Sequence, residues 1–254
     1  MALQYECRNA KGQLHCEDGP ARVYEDRESW YLNGRLHRKD GPARKYTNGL
    51  KLWYIKGRLH RKNGPAMRLT SGTKKWYYKG KLHRVGGPAI ERANGTKEWY
   101  VKGVRHREDG PAIEHYSGSK EWYINNQRHR ENGPAIECRS YMRWYRFGLL
   151  HREGGPAIEL SNGSRFWFTN GAPHRTDGPA VEHRKNGYKA WYVNGIRHRE
   201  GGPAIKWPDG RKEWYVNGER HNLDGPAIKC GDYIEWWFRN TQVDGPIVRI
   251  KSAK

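Results

Sequence analysis

Long apolar runs are what this sequence lacks most. No stretch approaches the roughly 18 consecutive apolar residues of a membrane-spanning helix, and the opening MALQYECRNA has no apolar run that could serve as a secretory signal. The expectation is a soluble chain made in the cytosol, neither secreted nor membrane-spanning. Phe (4) and Met (3) are scarce, so the core cannot be of the ordinary aliphatic and phenylalanine kind. The four cysteines, Cys7, Cys16, Cys138 and Cys230, form no CxxC pair, which argues against a disulfide framework or a zinc site and for reduced thiols acting as small apolar side chains. Acids are also short: Asp+Glu 27 against Lys+Arg 48 leaves +21. Only 35% of residues are hydrophobic, a combination that ordinarily signals disorder, yet 12 Trp and 16 Tyr are present and disordered chains are poor in aromatics. The chain is expected to fold.

What is present is a repeat. Gly-Pro occurs eleven times, first at Gly19 and last at Gly245, at steps of 20 to 24 residues. From Trp30 to Trp214 all nine Trp-to-His steps are seven residues, and every His-to-Gly step from His15 to His221 is four. The slack falls between the Pro of one copy and the Trp of the next. That segment holds Asn48-Gly49, Asn94-Gly95, Ser117-Gly118 or Asp209-Gly210, so it reads as a solvent-exposed hairpin tip. A strand such as Pro111–Tyr116 turns at Ser117-Gly118 into Lys120–Ile124, one β-hairpin per unit, and no window carries helical periodicity. A lone hairpin is marginal in water, so the units must stack.

These residues resemble MORN repeats: an aromatic, a Gly after a short turn, then the family's His, matched by His37, His60, His83, His106, His129, His151, His174 and His198. The following Gly of that pattern is Arg in this chain, and a Gly-Pro-Ala is inserted. The chain is similar to the divergent MORN-like arrays encoded by large DNA viruses that infect amoebae. The resemblance covers nearly the whole chain. It implies an all-β, elongated β-hairpin repeat solenoid of about ten units of roughly 23 residues, a single array over 1–254, with scaffolding, lipid binding or protein binding as known uses. Residues 1–29 and 236–254 read as caps around central repeats 30–235, because Arg8-Asn9 replaces Trp-Tyr in the first unit and the last has no His.

Strand alternation puts Trp99 on one face with Lys97 and Val101, and Tyr100 on the other with Glu98. The Trp ladder, packed by Ile90, Ile113, Ile136, Ile158, Ile205 and Ile228, is the expected core, with part of the Tyr ladder exposed. Ladder histidines one repeat apart sit roughly 10 Å from each other, too far to share a metal, so no metal or other cofactor is expected. A hydrogen bond from each imidazole to the backbone of the turn leading to Gly-Pro accounts for the fixed spacing better than a pH switch does. No catalytic constellation stands out and no small-molecule substrate is expected, since each candidate histidine recurs in equivalent settings.

The cations form two rows. Arg38, Arg61, Arg84, Arg107, Arg130, Arg152, Arg175 and Arg199 each follow the ladder histidine, and Lys51, Lys74, Lys97, Lys120, Arg165, Lys189 and Lys212 each precede the Trp by two residues. Two strands per unit at about 4.8 Å give a rise of roughly 9.6 Å per repeat, close to three base pairs of duplex. The expected partner is therefore double-stranded DNA or chromatin, bound without sequence preference, in the host nucleus or alternatively the cytoplasm or a virus factory. An anionic membrane surface or a protein partner is the alternative. Trp76-Tyr77-Tyr78 also resembles choline-binding modules, a weaker reading given the lack of a secretion signal.

Overall fold

The computed structural model describes residues 2–245, and every regular element among them is a β-strand. The chain divides into two compact bodies, Met1–Gln127 and Arg128–Lys254. Each body holds eleven strands of antiparallel sheet in which sequential neighbours pair. In the first body the strands run from Leu3–Glu6 to Lys120–Glu121, and in the second from Ile136–Glu137 to Thr241–Val243. Of the C-terminal cap expected over 236–254, residues 246–254 lie outside the described residues. No helix among the described residues is long and apolar enough to cross a membrane.

The expected hairpin is the unit of this sheet: Ile113–Glu114 pairs with Lys120–Glu121 around the Ser117-Gly118 tip. The short turn read at the Gly or Asn pair ahead of each His-Arg is the tip of a second, shorter hairpin, whose paired strands the sequence reading did not separate. Tyr100–Val101 pairs with Val104–Arg105, and the turn between them has φ of +50° at Lys102 and +89° at Gly103. Two successive positive φ values give a turn whose twist matches that of the strands. Lysine, phenylalanine or asparagine occupies the first turn position in different repeats, at Lys56, Lys79, Phe147 and Asn194 among others.

Alternation along the strand is as expected, but the inside of the fold lies on the other face. Ile90, Glu98 and Ile113 are cross-strand neighbours and all are buried, while Lys97 on the opposite face is exposed. Ile113 packs with Ala112 and Tyr123, and Ile205 with Ala190, Ala204 and Tyr215. The isoleucines thus meet the tyrosines, and the tryptophans, expected as the core, are mostly half-buried on the outer side. The tyrosine hydroxyls are satisfied inside. Tyr100 donates to buried Glu98 at 3.0 Å and accepts from Arg105 at 2.8 Å. Burial pushes the Glu98 carboxyl up, but hydrogen bonds from Arg92 and Tyr100 and the charges of Arg92 and Arg105 outweigh it and hold the group below the usual carboxylate range. The alanine of Gly-Pro-Ala has no exposed surface in ten repeats, and its carbonyl accepts the Trp N–H, as from Trp99 to Ala112 at 2.9 Å.

The histidines bond the backbone, but of the following repeat and not of the turn leading to their own Gly-Pro. His37 Nδ1 accepts the N–H of Lys56 at 3.2 Å, His60 that of Lys79 at 3.1 Å, and His174 that of Asn194 at 3.0 Å. The donor in each case is the left-handed first residue of the short turn, where a non-glycine residue is strained. From His37 to His198 each ladder imidazole therefore pins a strained turn one repeat later, and the seven-residue Trp-to-His step holds that reach constant, whereas the Nδ1 of His221 is buried without such a bond.

An unprotonated Nδ1 is required for this bond. Burial, with help from Lys39 and Lys56, pushes the His37 imidazole below its ordinary value. The unfolded chain then takes the proton first, so the stability from His37 is present above about pH 6.5 and is lost as the pH falls through the folded-state value. The His37 resonance should titrate below about 6.5, with Lys56 amide protection falling in step. Lys39→Glu, which recreates the His106-x-Glu108 pairing at 3.3 Å, should move the midpoint upward. A His37 midpoint above 6.5 in the native chain would overturn the assignment.

Candidate nucleic-acid interface

The ladder arginines are built into the fold. The guanidinium carbon lies 3.8–4.2 Å from the centroid of the preceding Trp ring in seven repeats: Arg38 on Trp30, Arg61 on Trp53, Arg84 on Trp76, Arg107 on Trp99, Arg152 on Trp144, Arg175 on Trp167 and Arg199 on Trp191. Such a stack contributes on the order of 0.5–2 kcal/mol. From Arg61 to Arg199 the same side chains, Arg130 included, donate to the carbonyl of the Pro four residues on, at 3.1–3.4 Å. The other face of the guanidinium rests on the Gly of Gly-Pro. A Cβ there would fall 2.7–3.1 Å from the guanidinium carbon in eight repeats, so the four-residue His-to-Gly spacing is the thickness of an arginine slot.

Seven residues beyond each ladder Arg lies the outward residue of the strand after Gly-Pro-Ala, and its identity divides the repeats. Glu91, Glu114, Glu137, Glu159 and Glu182 occupy it after Arg84, Arg107, Arg130, Arg152 and Arg175, and each accepts a hydrogen bond from its arginine, for example 2.7 Å from Arg84 to Glu91. Asp109 and Asp177 add bonds to Arg107 and Arg175 at 2.9 and 2.8 Å. After Arg38, Arg61 and Arg199 the position holds Lys45, Arg68 and Lys206, and after Asn222 it holds Lys229.

Glu91 also lies 3.9 Å from the Lys74 ammonium, so the arginine row and the lysine row share one face there. The lysine row has three kinds of cross-strand neighbours. Lys97 sits between Glu91 and Glu114, Lys120 faces Glu114, and Arg165 sits between Glu159 and Glu182. Lys74 and Lys189 each have one cation and one acid beside them, Arg68 and Glu91, and Glu182 and Lys206. Lys51 faces Lys45 and Arg68, and Lys212 faces Lys206 and Lys229. Four consecutive cations thus stand side by side in each body: Lys45, Lys51, Arg68 and Lys74 in the first, and Lys189, Lys206, Lys212 and Lys229 in the second.

Crowding is visible in the charges themselves. Burial lowers the Lys206 pKa, and Arg199, Lys212 and Lys189 lower it further; burial, then Arg68, does the same to Arg61. Of the cations in the two rows, those from Arg84 to Arg175 have acids beside them, while Arg38, Arg61 and Arg199 adjoin the two cation runs. Lys45, Arg68, Lys206 and Lys229 were not anticipated. The signal for them was the third residue after each Pro, which changes from Glu to Lys or Arg in the early and late repeats.

The slot yields a test. Gly110→Ala puts a Cβ 2.9 Å from the Arg107 guanidinium carbon and should cost about 1–2 kcal/mol by displacing the stack and its Pro111 bond. Gly19→Ala, with open space around it, should cost far less. In the Arg107→Ala background the Gly110→Ala penalty should vanish in a denaturant double-mutant cycle; a penalty that persists would refute the slot. Comparison with protein-family models and with curated proteins finds no match to this chain.

Proposed function

We propose that the chain binds double-stranded DNA without sequence preference, in the manner of a MORN-like repeat protein, through the outward cation rows. The observation that carries this reading is the pair of four-cation runs. Like charges directly opposite one another destabilise a sheet, and no acid stands between Lys45, Lys51 and Arg68 or between Lys206, Lys212 and Lys229. A polyanion laid across the strands relieves that repulsion and releases its own counterions. Cations recurring about every 4.8 Å match a linear array of phosphates better than scattered lipid headgroups. The groups are the same from strand to strand, so they read charge and shape and not base sequence. Arg84, Arg107, Arg130, Arg152 and Arg175 serve in this reading as supports whose charge is largely spoken for by their glutamates.

The test is a titration of random-sequence duplex at several salt concentrations. Four phosphates neutralised by one run give a log K against log[salt] slope of about −3.6. Changing Lys189, Lys206, Lys212 and Lys229 to Gln should reduce the slope by about 3 to 4, whereas Lys97→Gln with Lys120→Gln should change it by less than 1. A flat slope, or equal losses from the two sets, would sink the proposal. Phosphatidylserine vesicles binding as tightly as duplex at the same salt would favour a membrane surface instead.

A further inference from the structure

Of the nine ladder tryptophans from Trp30 to Trp214, one has no arginine eight residues on. Where the ladder would place a guanidinium over Trp214, residue 222 is Asn. Its shorter side chain keeps one of the arginine's bonds, Nδ2 donating to the Pro226 carbonyl at 3.0 Å, while Oδ1 accepts the Asp224 N–H at 3.2 Å. It does not reach across the indole. Trp214 and Asn222 line, with Arg199, Lys206, Lys212 and Lys229, a groove of about 770 Å³, somewhat larger than the grooves of about 650 and 670 Å³ at Trp53 and Trp144, where the arginine is in place, and in the range of small-molecule sites. Glu200 and Asp224 also border it, leaving two more cations than acids among these groups.

The vacancy has a shape and a sign. In other repeats the same space is filled by a flat, delocalised guanidinium in contact with an indole, as Arg199 fills it at 4.0 Å from the Trp191 ring centroid. A flat guest suits it. A cationic guest, such as the arginine of a partner, would have to sit among Arg199, Lys206, Lys212 and Lys229, so the guest must carry negative charge beside its planar part. An aromatic ring that bears phosphate satisfies both demands.

We propose that the groove over Trp214 binds a nucleoside phosphate, with the base stacked on the indole in the place of the missing guanidinium and the phosphates held by Lys206, Lys212 and Lys229. The stacking half of the site is separate from the duplex reading, because the bases of an intact duplex are stacked on one another and offer no free face, whereas Lys206, Lys212 and Lys229 serve both readings and would be shared by the two ligands. It also departs from the expectation that the chain takes no small molecule. The same chemistry is offered by a free nucleotide and by the unpaired end of a single strand.

Calorimetric titration of the full chain with ATP, inorganic tripolyphosphate and adenosine, in the absence of divalent metal, tests the proposal. ATP should bind at least tenfold more tightly than tripolyphosphate, the increment expected of a single base on an aromatic face, and adenosine should bind weakly. Asn222→Arg should abolish the preference for ATP while leaving tripolyphosphate binding equal or stronger, because it fills the slot and adds a charge. This variant installs the residue that eight other repeats carry, and a thermal melt at or above that of the parent confirms that it folds. Trp214→Leu should remove the same preference without adding charge. A 5′-phosphorylated tetranucleotide binding more tightly than ATP would identify the strand end as the source, and the reverse the free nucleotide. The proposal is overturned if neither ligand gains from its base, or if the gain survives Asn222→Arg.

Discussion

A guanidinium lying about 4 Å over an indole needs a thin neighbour on its far side, and the backbone at Gly-Pro provides one only because the glycine has no side chain. From that contact the rest of the repeat follows. The Pro supplies a carbonyl without competing for it as a donor, the Ala behind it is sealed from solvent, and its carbonyl closes on the Trp N–H. In the repeats that carry the arginine, tryptophan is mostly half-buried under a guanidinium and leaves no open face. It is the lower plate of a clamp whose upper plate is charged, which is how so basic a chain covers large aromatic surfaces without burying them under aliphatic side chains.

Charge is then divided by one neighbouring position. When the strand after Gly-Pro-Ala presents Glu, the stacked arginine and the lysines beside it are balanced locally. When it presents Lys or Arg, acids remain only at the ends of the run, as Glu28 beside Lys45 and Glu91 beside Lys74, and the surface between them becomes a row of like charges. The net +21 is therefore concentrated by a single residue type switching along the repeat, and is not an even coat over every unit.

Much of this was legible in the residues. The invariant Trp-to-His and His-to-Gly distances marked the rigid segment, the Asn-Gly and Asp-Gly pairs marked the hairpin tips, and alternation correctly grouped Glu98 with Tyr100. The choice of inside face was not legible, because hydrophobicity ranks Trp above Tyr and Glu, whereas the inner face satisfies its polar atoms through a Glu–Tyr–Arg network that only tertiary contacts reveal. The turn before each His was read from its Gly or Asn pair, but its paired strands were not: Lys102 is a poor predictor of a left-handed turn, and the imidazole that steadies such turns comes from the preceding repeat. The vacant slot at Asn222 was in plain sight as a departure from the ladder, but its meaning depended on knowing what arginine does elsewhere.

The bonds from turn to imidazole all point the same way, from a later N–H back to an earlier ring. A chain leaving the ribosome N-terminus first thus presents each acceptor before the donor that needs it, so every new turn arrives at a neighbour already prepared to receive it. A fragment cut from the N-terminal side loses the ring its first turn depends on, whereas one cut from the C-terminal side leaves only an idle histidine. The repeats are similar in sequence, but the dependence between them has a direction.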